Sequence, residues 1–231
     1  MSSILIDAGH GGSDPGATYK GREESNDTLR LANRIKYHLN RHNIHTDMTR
    51  DTDTFVSLEQ RVAIEHSGKY DYFVSIHRNA FHPESAHGVE TYSLSTTGKG
   101  RELSERVQGR LKNYFYDRGC KTAIYYVLEY TNCSAILIEV GFIDNTQDNN
   151  VFDAKFENIA IDIAKSIVEQ LGLTYKSEPT IPAPATGEII YEVIRDGKQV
   201  GAYKMIGNIL DEVNRNIQGG ANEVIIKRVV K

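Results

Sequence analysis

The sequence predicts an α/β protein: a mixed, mostly parallel twisted sheet with helices on both faces, followed by a small α+β unit of ββαβ order. Three observations predict it. Apolar runs of strand length alternate with segments of helical periodicity up to about residue 171. The stretch "TYKSEPTIPAPATG" (174–187) then holds three prolines and no periodicity, which favours an extended, semi-rigid spacer. Beyond it the chain starts again with a hairpin signature, Asp196-Gly197, between alternating stretches.

The elements follow in order. Ile4, Leu5 and Ile6 make residues 3–8 a buried strand. Leu31, Ile35 and Leu39 recur every four residues, with Leu29 and Ala32 beside them, and predict a helix over 24–41. Residues 44–49 read as a short strand. Ser57 and Gln60 have capping-box spacing and open a helix that runs to about residue 66. "YDYFVSIH" (70–77) and "GVETYSL" (88–94) are strands, and Leu103, Val107, Leu111 and Phe115 mark a third helix. "IYYVLEY" (124–130) and "AILIEVGF" (135–142) read as strands whose short separation suits an antiparallel or edge pairing, hence a mixed sheet. A helix over 155–171 carries Phe156, Ala160, Ile163, Ile167 and Leu171.

These elements set the expected domains: 1–173, a linker over 174–187, and a small unit over 188–231. In the small unit the turn register pairs Val193 with Val200. Ile206, Ile209, Leu210, Val213 and Ile217 give a helix face that Gly219-Gly220 ends, and 223–230 is a last strand. A core so small points to support from a second copy of itself, by self-association, or from the larger domain.

The chain has 231 residues, 39% of them hydrophobic and 25% charged, with a formal net charge of -4. That suits one sizeable soluble domain plus a small one and argues against a nucleic-acid partner. No run approaches a membrane-spanning helix, so no membrane insertion is expected. Only Met1-Ser2-Ser3 precede the first strand, so the expectation is a protein made in the cytoplasm without a signal peptide. Cys120 and Cys133 do not form a close pair and read as free thiols.

Three polar residues share one placement. His10 follows the first strand, His77 ends the strand over 70–77, and Glu139 lies near the end of 135–142. Ligands of open α/β sheets bind outside the carboxyl ends of the strands. Each residue alone has an ordinary reading: a hydrogen-bonding histidine in a glycine loop, or a glutamate at a strand edge. The three together point to one site. Glu139, set among Ile136, Leu137, Ile138, Val140 and Phe142, is expected in a water-poor wall that raises its pKa into a useful range for proton transfer. His38 and His42 lie four apart without an intervening H-E-x-x-H glutamate and read as a solvated helix end. Asp51 and Asp53 lack the glycine and closing glutamate of a calcium loop, and 99–112 reads as a solvated basic helix face.

The motifs carry a resemblance. "IDAGHGGSDPGA", "REES", "TR" at 49–50, Arg61, "FVSIHRNA", "GVET" and "ILIEVGFIDN", in that order over residues 3 to 172, resemble the zinc-dependent N-acetylmuramoyl-L-alanine amidases with an Amidase_3-type domain. The resemblance implies one Zn²⁺ held by His10, Glu24 and His77, with Glu139 as the catalytic carboxylate. It implies hydrolysis of the amide between N-acetylmuramic acid and the L-alanine of the stem peptide; the endolysin-like order of enzyme, proline linker and small module points to Gram-positive peptidoglycan. In "REES" the family spacing, counted back from Leu29, selects Glu24 over Glu23. Arg78 departs from the family, where a small residue often follows the ligand histidine, and is expected to alter the groove wall. The order of enzyme, proline linker and small module resembles phage endolysins, which reach the wall after the membrane is permeabilised. Residues 188–231 would then target the wall, and their ββαβ order and "QVGAYK" resemble SPOR-type peptidoglycan-binding repeats. Other readings are a bacterial autolysin or sporulation amidase, a zinc peptidase cutting within the stem peptide, and a wall-binding protein with a decayed catalytic domain.

Overall fold

A computed structural model of the chain describes residues 2–177, 189–203, 213, 216 and 224–230. The chain divides into two compact units, Met1–Lys176 and Ser177–Lys231.

The larger unit is built on a six-stranded sheet. Its strands are β1 (Ser3–Ala8), β4 (His45–Met48), β5 (Tyr72–Asn79), β6 (Val89–Ser93), β7 (Asp117–Thr122) and β8 (Ser134–Phe142), in the order β4-β1-β5-β8-β6-β7. The first four in that order are mutually parallel; β6 runs antiparallel to β8 and carries β7 parallel to itself. The expected mixed sheet is present, but the antiparallel partner of β8 is β6. A two-stranded ribbon, β2 (Thr18–Tyr19) with β3 (Arg22–Glu23), precedes the first helix.

Helices cover both faces. On one side α1 (Glu24–Asn40), α3 (Lys99–Leu111) and α6 (Phe156–Gln170) bury Leu31, Ile35, Val107, Ile163 and Ile167 against Ile4, Ile6, Val74, Ile76 and Ile138. On the other, α4 (Tyr126–Glu129) sets Val127 and Leu128 against Leu5, Phe73 and Leu137, and Ile64 of α2 (Leu58–Ser67) packs on them. The capping box forms as its spacing predicts: Gln60 N donates to Ser57 Oγ at 3.3 Å and Ser57 N to Gln60 Oε1 at 2.8 Å. A further helix, α5 (Thr146–Ala154), follows β8.

One expected strand is absent. Residues 126–129 of the 124–130 segment form the short helix α4, because a brief apolar run has the same signature as a strand or as a buried helical turn. The strand in that region is β7, "DRGCKT", a half-exposed polar segment with no alternation to betray it. Phe115 is buried as its periodicity implies, yet α3 has ended at Leu111. Cys120 and Cys133 are free thiols.

The smaller unit contains a three-stranded antiparallel sheet, β10-β9-β11, with β9 at Ile189–Arg195, β10 at Lys198–Tyr203 and β11 at Val224–Val230. Asp196 and Gly197 both take positive φ (47° and 78°), as the hairpin turn requires. A bulge between Gln199 and Gly201 shifts the register, so Val193 faces Gly201 and not Val200. The helix expected around 206–217 lies outside the described residues except at Val213 and Asn216, which are helical, and residues 178–188 of the linker region lie outside them too.

Ile138 sits fully buried in the middle of the sheet. Ile138→Ala should lower unfolding free energy by about 2–5 kcal/mol, read as a lower urea midpoint at unchanged slope; an unmoved midpoint would contradict this packing.

Candidate metal centre

The sheet brings His10, His77 and Glu139 to one edge. β1, β5 and β8 are adjacent and parallel, Ala8 pairs with Ile76, and His77 lies beside Glu139. Glu24, the first residue of α1, enters from above with its carboxylate at the positive end of the helix. Its Oε1 lies 2.9 Å from His77 Nδ1 and its Oε2 3.2 Å from His10 Nε2. Backbone amides complete its shell: Arg78 N donates to Oε1 at 2.9 Å and Ala17 N to Oε2 at 3.0 Å. The imidazoles meet edge to face at 5.0 Å between centroids. One donor atom from each of His10, Glu24 and His77 falls within 4.8 Å of the others. Glu23 stays outside, exposed, and accepts from Asn26 Nδ2 at 2.9 Å.

The loop after β1 is pinned in a conformation it would not hold alone. His10 has φ of 61°, the left-handed region that a β-carbon disfavours. Two buried arginines fasten the carbonyls around it. Arg50 donates to Ala8 O at 2.9 Å and Gly9 O at 2.9 Å; Arg61 donates to Ala8 O at 2.8 Å and His10 O at 2.9 Å. Arg61 is itself paired with Asp7, which also accepts from Thr49 Oγ1 at 2.7 Å and Ser75 Oγ at 2.6 Å. Burial alone would raise the Asp7 pKa, but Arg61 and the two hydroxyls hold it below the usual carboxylate range.

The loop glycines make room for side chains. A Cβ on Gly16, where φ is +68°, would lie 2.7 Å from both Glu24 Oε2 and the His10 ring, and one on Gly9 would lie 2.4 Å from the His77 ring.

Asp14 escaped the sequence reading as a site residue. Its Oδ2 lies 2.8 Å from His10 Nδ1, which turns the other ring nitrogen toward Glu24. The signal was present as an i,i+4 His–Asp pair inside the glycine loop. Arg78 is a correction: it does not line a groove. Its side chain is 1% exposed, points away from His77 into the interior, donates to Asp27 Oδ2 and Asn149 Oδ1, and stacks 4.2 Å over Phe152. Through Asp27 it ties down the first turn of α1, where Glu24 sits. His38 is a second correction: it is fully buried, not solvated, and pairs with Glu157 at 2.9 Å, while His42 beside it is half-buried and its Nδ1 lies 2.8 Å from the His38 carbonyl oxygen.

The electrostatics follow from this packing. Burial alone would lower the His10 pKa, but Glu24 and then Asp14 outweigh it and raise it to about 9. Burial alone would raise Glu24, yet bonds and charge from both histidines hold it far below the usual carboxylate range. So concentrated a pull toward positive charge is what a cation held there would meet. Glu139 is opposite: burial pushes it up to about 7, aided by Glu24 and Glu90, and its Oε2 is shut from solvent without a hydrogen-bond partner among the described residues. His10, His77 and Glu139 line a cleft of about 550 Å³ whose other wall is apolar, with Phe55, Tyr126, Val127 and Leu137.

Residues 4–169 match the family model described as N-acetylmuramoyl-L-alanine amidase, Amidase_3. The chain belongs to that family. It is 38% identical over 150 residues to the N-acetylmuramoyl-L-alanine amidase LytC of Bacillus subtilis, a match that covers 63% of this chain and 30% of that longer protein. It is 34% identical over 212 residues to the endolysin of Bacillus phage SPP1, covering 85% of this chain and 78% of that one. The catalytic domain of CwlV, an N-acetylmuramoyl-L-alanine amidase from Bacillus (Paenibacillus) polymyxa var. colistinus, superposes with a TM-score of 0.70 at 30% identity, covering 75% of this chain and all of that one. The family match spans all four residues of the centre.

The raised pKa of Glu139 has a cost in the metal-free protein. The folded state holds this proton more tightly than the unfolded chain, whose carboxyl titrates near 4.5, so the stability it lends is full below that value and is lost as pH rises through about 7. Ionised and buried, it costs about 3 kcal/mol at pH 8. Metal-free Glu139→Gln should therefore outlast the parent in urea at pH 8, and the gap should close toward pH 5. Equal midpoints at pH 8 would refute this.

Proposed function

We propose that the chain is a zinc-dependent N-acetylmuramoyl-L-alanine amidase that cleaves the bond between N-acetylmuramic acid and the L-alanine of the stem peptide in Gram-positive peptidoglycan. The observation that carries the proposal is the convergence of two imidazoles and one carboxylate beside an unpartnered, proton-retaining glutamate, at the mouth of a cleft.

The donor set fits the ion. Two nitrogens and one carboxylate oxygen suit Zn²⁺ and leave a coordination position for water or substrate. His10, Glu24 and His77 would hold it, with Asp14 fixing the His10 ring as outer carboxylates do for metal-bound histidines. Bound there, the ion supplies Lewis acidity toward a carbonyl and a water of lowered pKa. Glu139 takes the proton of the attacking water and delivers it to the departing amine. A group that titrates near neutrality can do both. The apolar wall of Phe55, Tyr126 and Val127 limits water around the reacting amide. With water as the nucleophile no covalent acyl-enzyme is required, and neither cysteine lines the cleft.

The biological setting we assign is that of a phage endolysin, made in the cytoplasm and reaching the wall once the membrane is permeabilised, with the unit after the proline-bearing stretch as a wall-targeting module. The SPP1 relative, matched over most of both chains, supports this setting. Among the described residues no helix is long and apolar enough to cross a membrane.

Purified protein should release intact stem peptides, with free N-terminal L-alanine, from isolated walls. Chelation should stop the reaction and Zn²⁺ should restore it. Glu139→Gln should lose at least a thousandfold in turnover while it still binds one zinc per chain. Mass analysis of the digest decides: fragments cut within the peptide would make the protein a peptidase, and an active Glu139→Gln would remove that residue from the chemistry.

A further inference from the structure

Glu139 borders two clefts, and only one of them holds the histidines. The second has a volume of about 540 Å³ and shares Tyr125 and Glu139 with the first, but neither His10, Asp14 nor His77 lines it. Its wall mixes apolar and polar side chains and carries two cations, Arg118 and Lys121, with two carboxyl groups, Glu90 and Glu139. Glu90, which pairs with Glu139 across β6 and β8, is its hub. The Glu90 side chain is 3% exposed and both oxygens are engaged: Oε1 accepts from Asn79 Nδ2 at 2.6 Å and Tyr92 Oη at 2.8 Å, and Oε2 accepts from Arg118 Nε at 2.8 Å and from Lys121 Nζ.

One carboxylate thus holds two cations side by side, which leaves a surplus positive charge. The cations are only partly covered, 31% exposed at Arg118 and 40% at Lys121. Arg118 lies over the Phe142 ring at 4.9 Å, which fixes its plane. Among the described residues no group accepts from Arg118 Nη2, and Lys121 uses one of its three N–H bonds. Free donors on fixed cations suit a carboxylate.

We propose that this second cleft seats the peptide arm of the substrate, and that Arg118 and Lys121 bind a carboxylate on it. The inference rests on the amidase reading and deepens it by orienting the substrate. The departing amine must lie within reach of Glu139, which returns a proton to it, while the acyl carbon lies toward the histidines. The acyl half, a lactyl group on a neutral sugar, then occupies the cleft walled by Phe55 and Tyr126. The amine half, a peptide that carries carboxylates, runs past Glu139 to the basic cleft. Charge and the direction of proton return give the same orientation.

The test uses the full chain with Glu139→Gln, zinc-loaded, so that ligands are bound and not consumed. The probes are N-acetylmuramoyl-L-alanyl-D-glutamate with both carboxylates free and the same compound with both as carboxamides, titrated calorimetrically. The acid should bind about tenfold more tightly at low salt, and the preference should shrink at high salt. Adding Arg118→Gln and Lys121→Gln together should abolish it. Lys121→Gln alone, which leaves Glu90 paired with Arg118, should reduce it about threefold and serves if the double variant does not fold. Equal affinities for acid and amide, binding of neither, or a preference that survives the substitutions overturns the inference. Failure of the amidase reading would show separately, as no stem peptide released from walls by the unsubstituted chain.

Discussion

One carboxylate holds the site together. Glu24 reaches His10 with one oxygen and His77 with the other, and so joins the loop after β1 to the end of the neighbouring strand β5. Everything nearby serves this bridge. Two backbone amides aim the carboxylate, and the helix that carries it starts at the residue itself. Gly16 and Gly9 leave the space that its oxygens and the imidazoles fill. The bridge places together three atoms that could hold a metal ion, so little reorganisation would oppose its binding.

The support beneath the bridge is ionic and buried. Asp7 and Arg61, with Arg50 beside them, fasten three successive carbonyls of the His10 loop; Arg78 and Asp27 fasten the first turn of α1 from the opposite side. Buried pairs of this kind contribute little net stability over an apolar substitute, but losing one partner strands the other at a cost of about 3–5 kcal/mol. Their value here is positional. They hold His10 at a positive φ that the loop sequence alone would not favour. The same structure tolerates an unpartnered carboxylate at Glu139, a local destabilisation that the proposed chemistry requires.

Much of this was legible in the sequence, for identifiable reasons. Strands β1, β5 and β8 announced themselves as apolar runs, and parallel neighbours necessarily bring their carboxyl ends to one edge, so His10, His77 and Glu139 could be grouped from periodicity alone. Glu24 could not. It stands on a helix, not at a strand end, and only the family spacing distinguished it from Glu23. Arg78 misled for a related reason: the residue after His77 points to the opposite face of the strand, where Asp27 and Asn149 receive it. β7 was invisible because an edge strand needs no apolar face, and α4 was mistaken for a strand because four residues are too few to show a period. The Val193 register failed because a bulge, unlike a turn, left no residue signature.

On the proposed reading Glu24, and not its neighbour Glu23, completes the ion site with His10 and His77. Zinc affinity, measured by competition with a chromophoric chelator for Glu24→Gln and Glu23→Gln beside the parent chain, tests this. Affinity should fall at least a hundredfold for Glu24→Gln and stay parent-like for Glu23→Gln, with both variants folded by circular dichroism. Parent-like zinc binding in folded Glu24→Gln would contradict it.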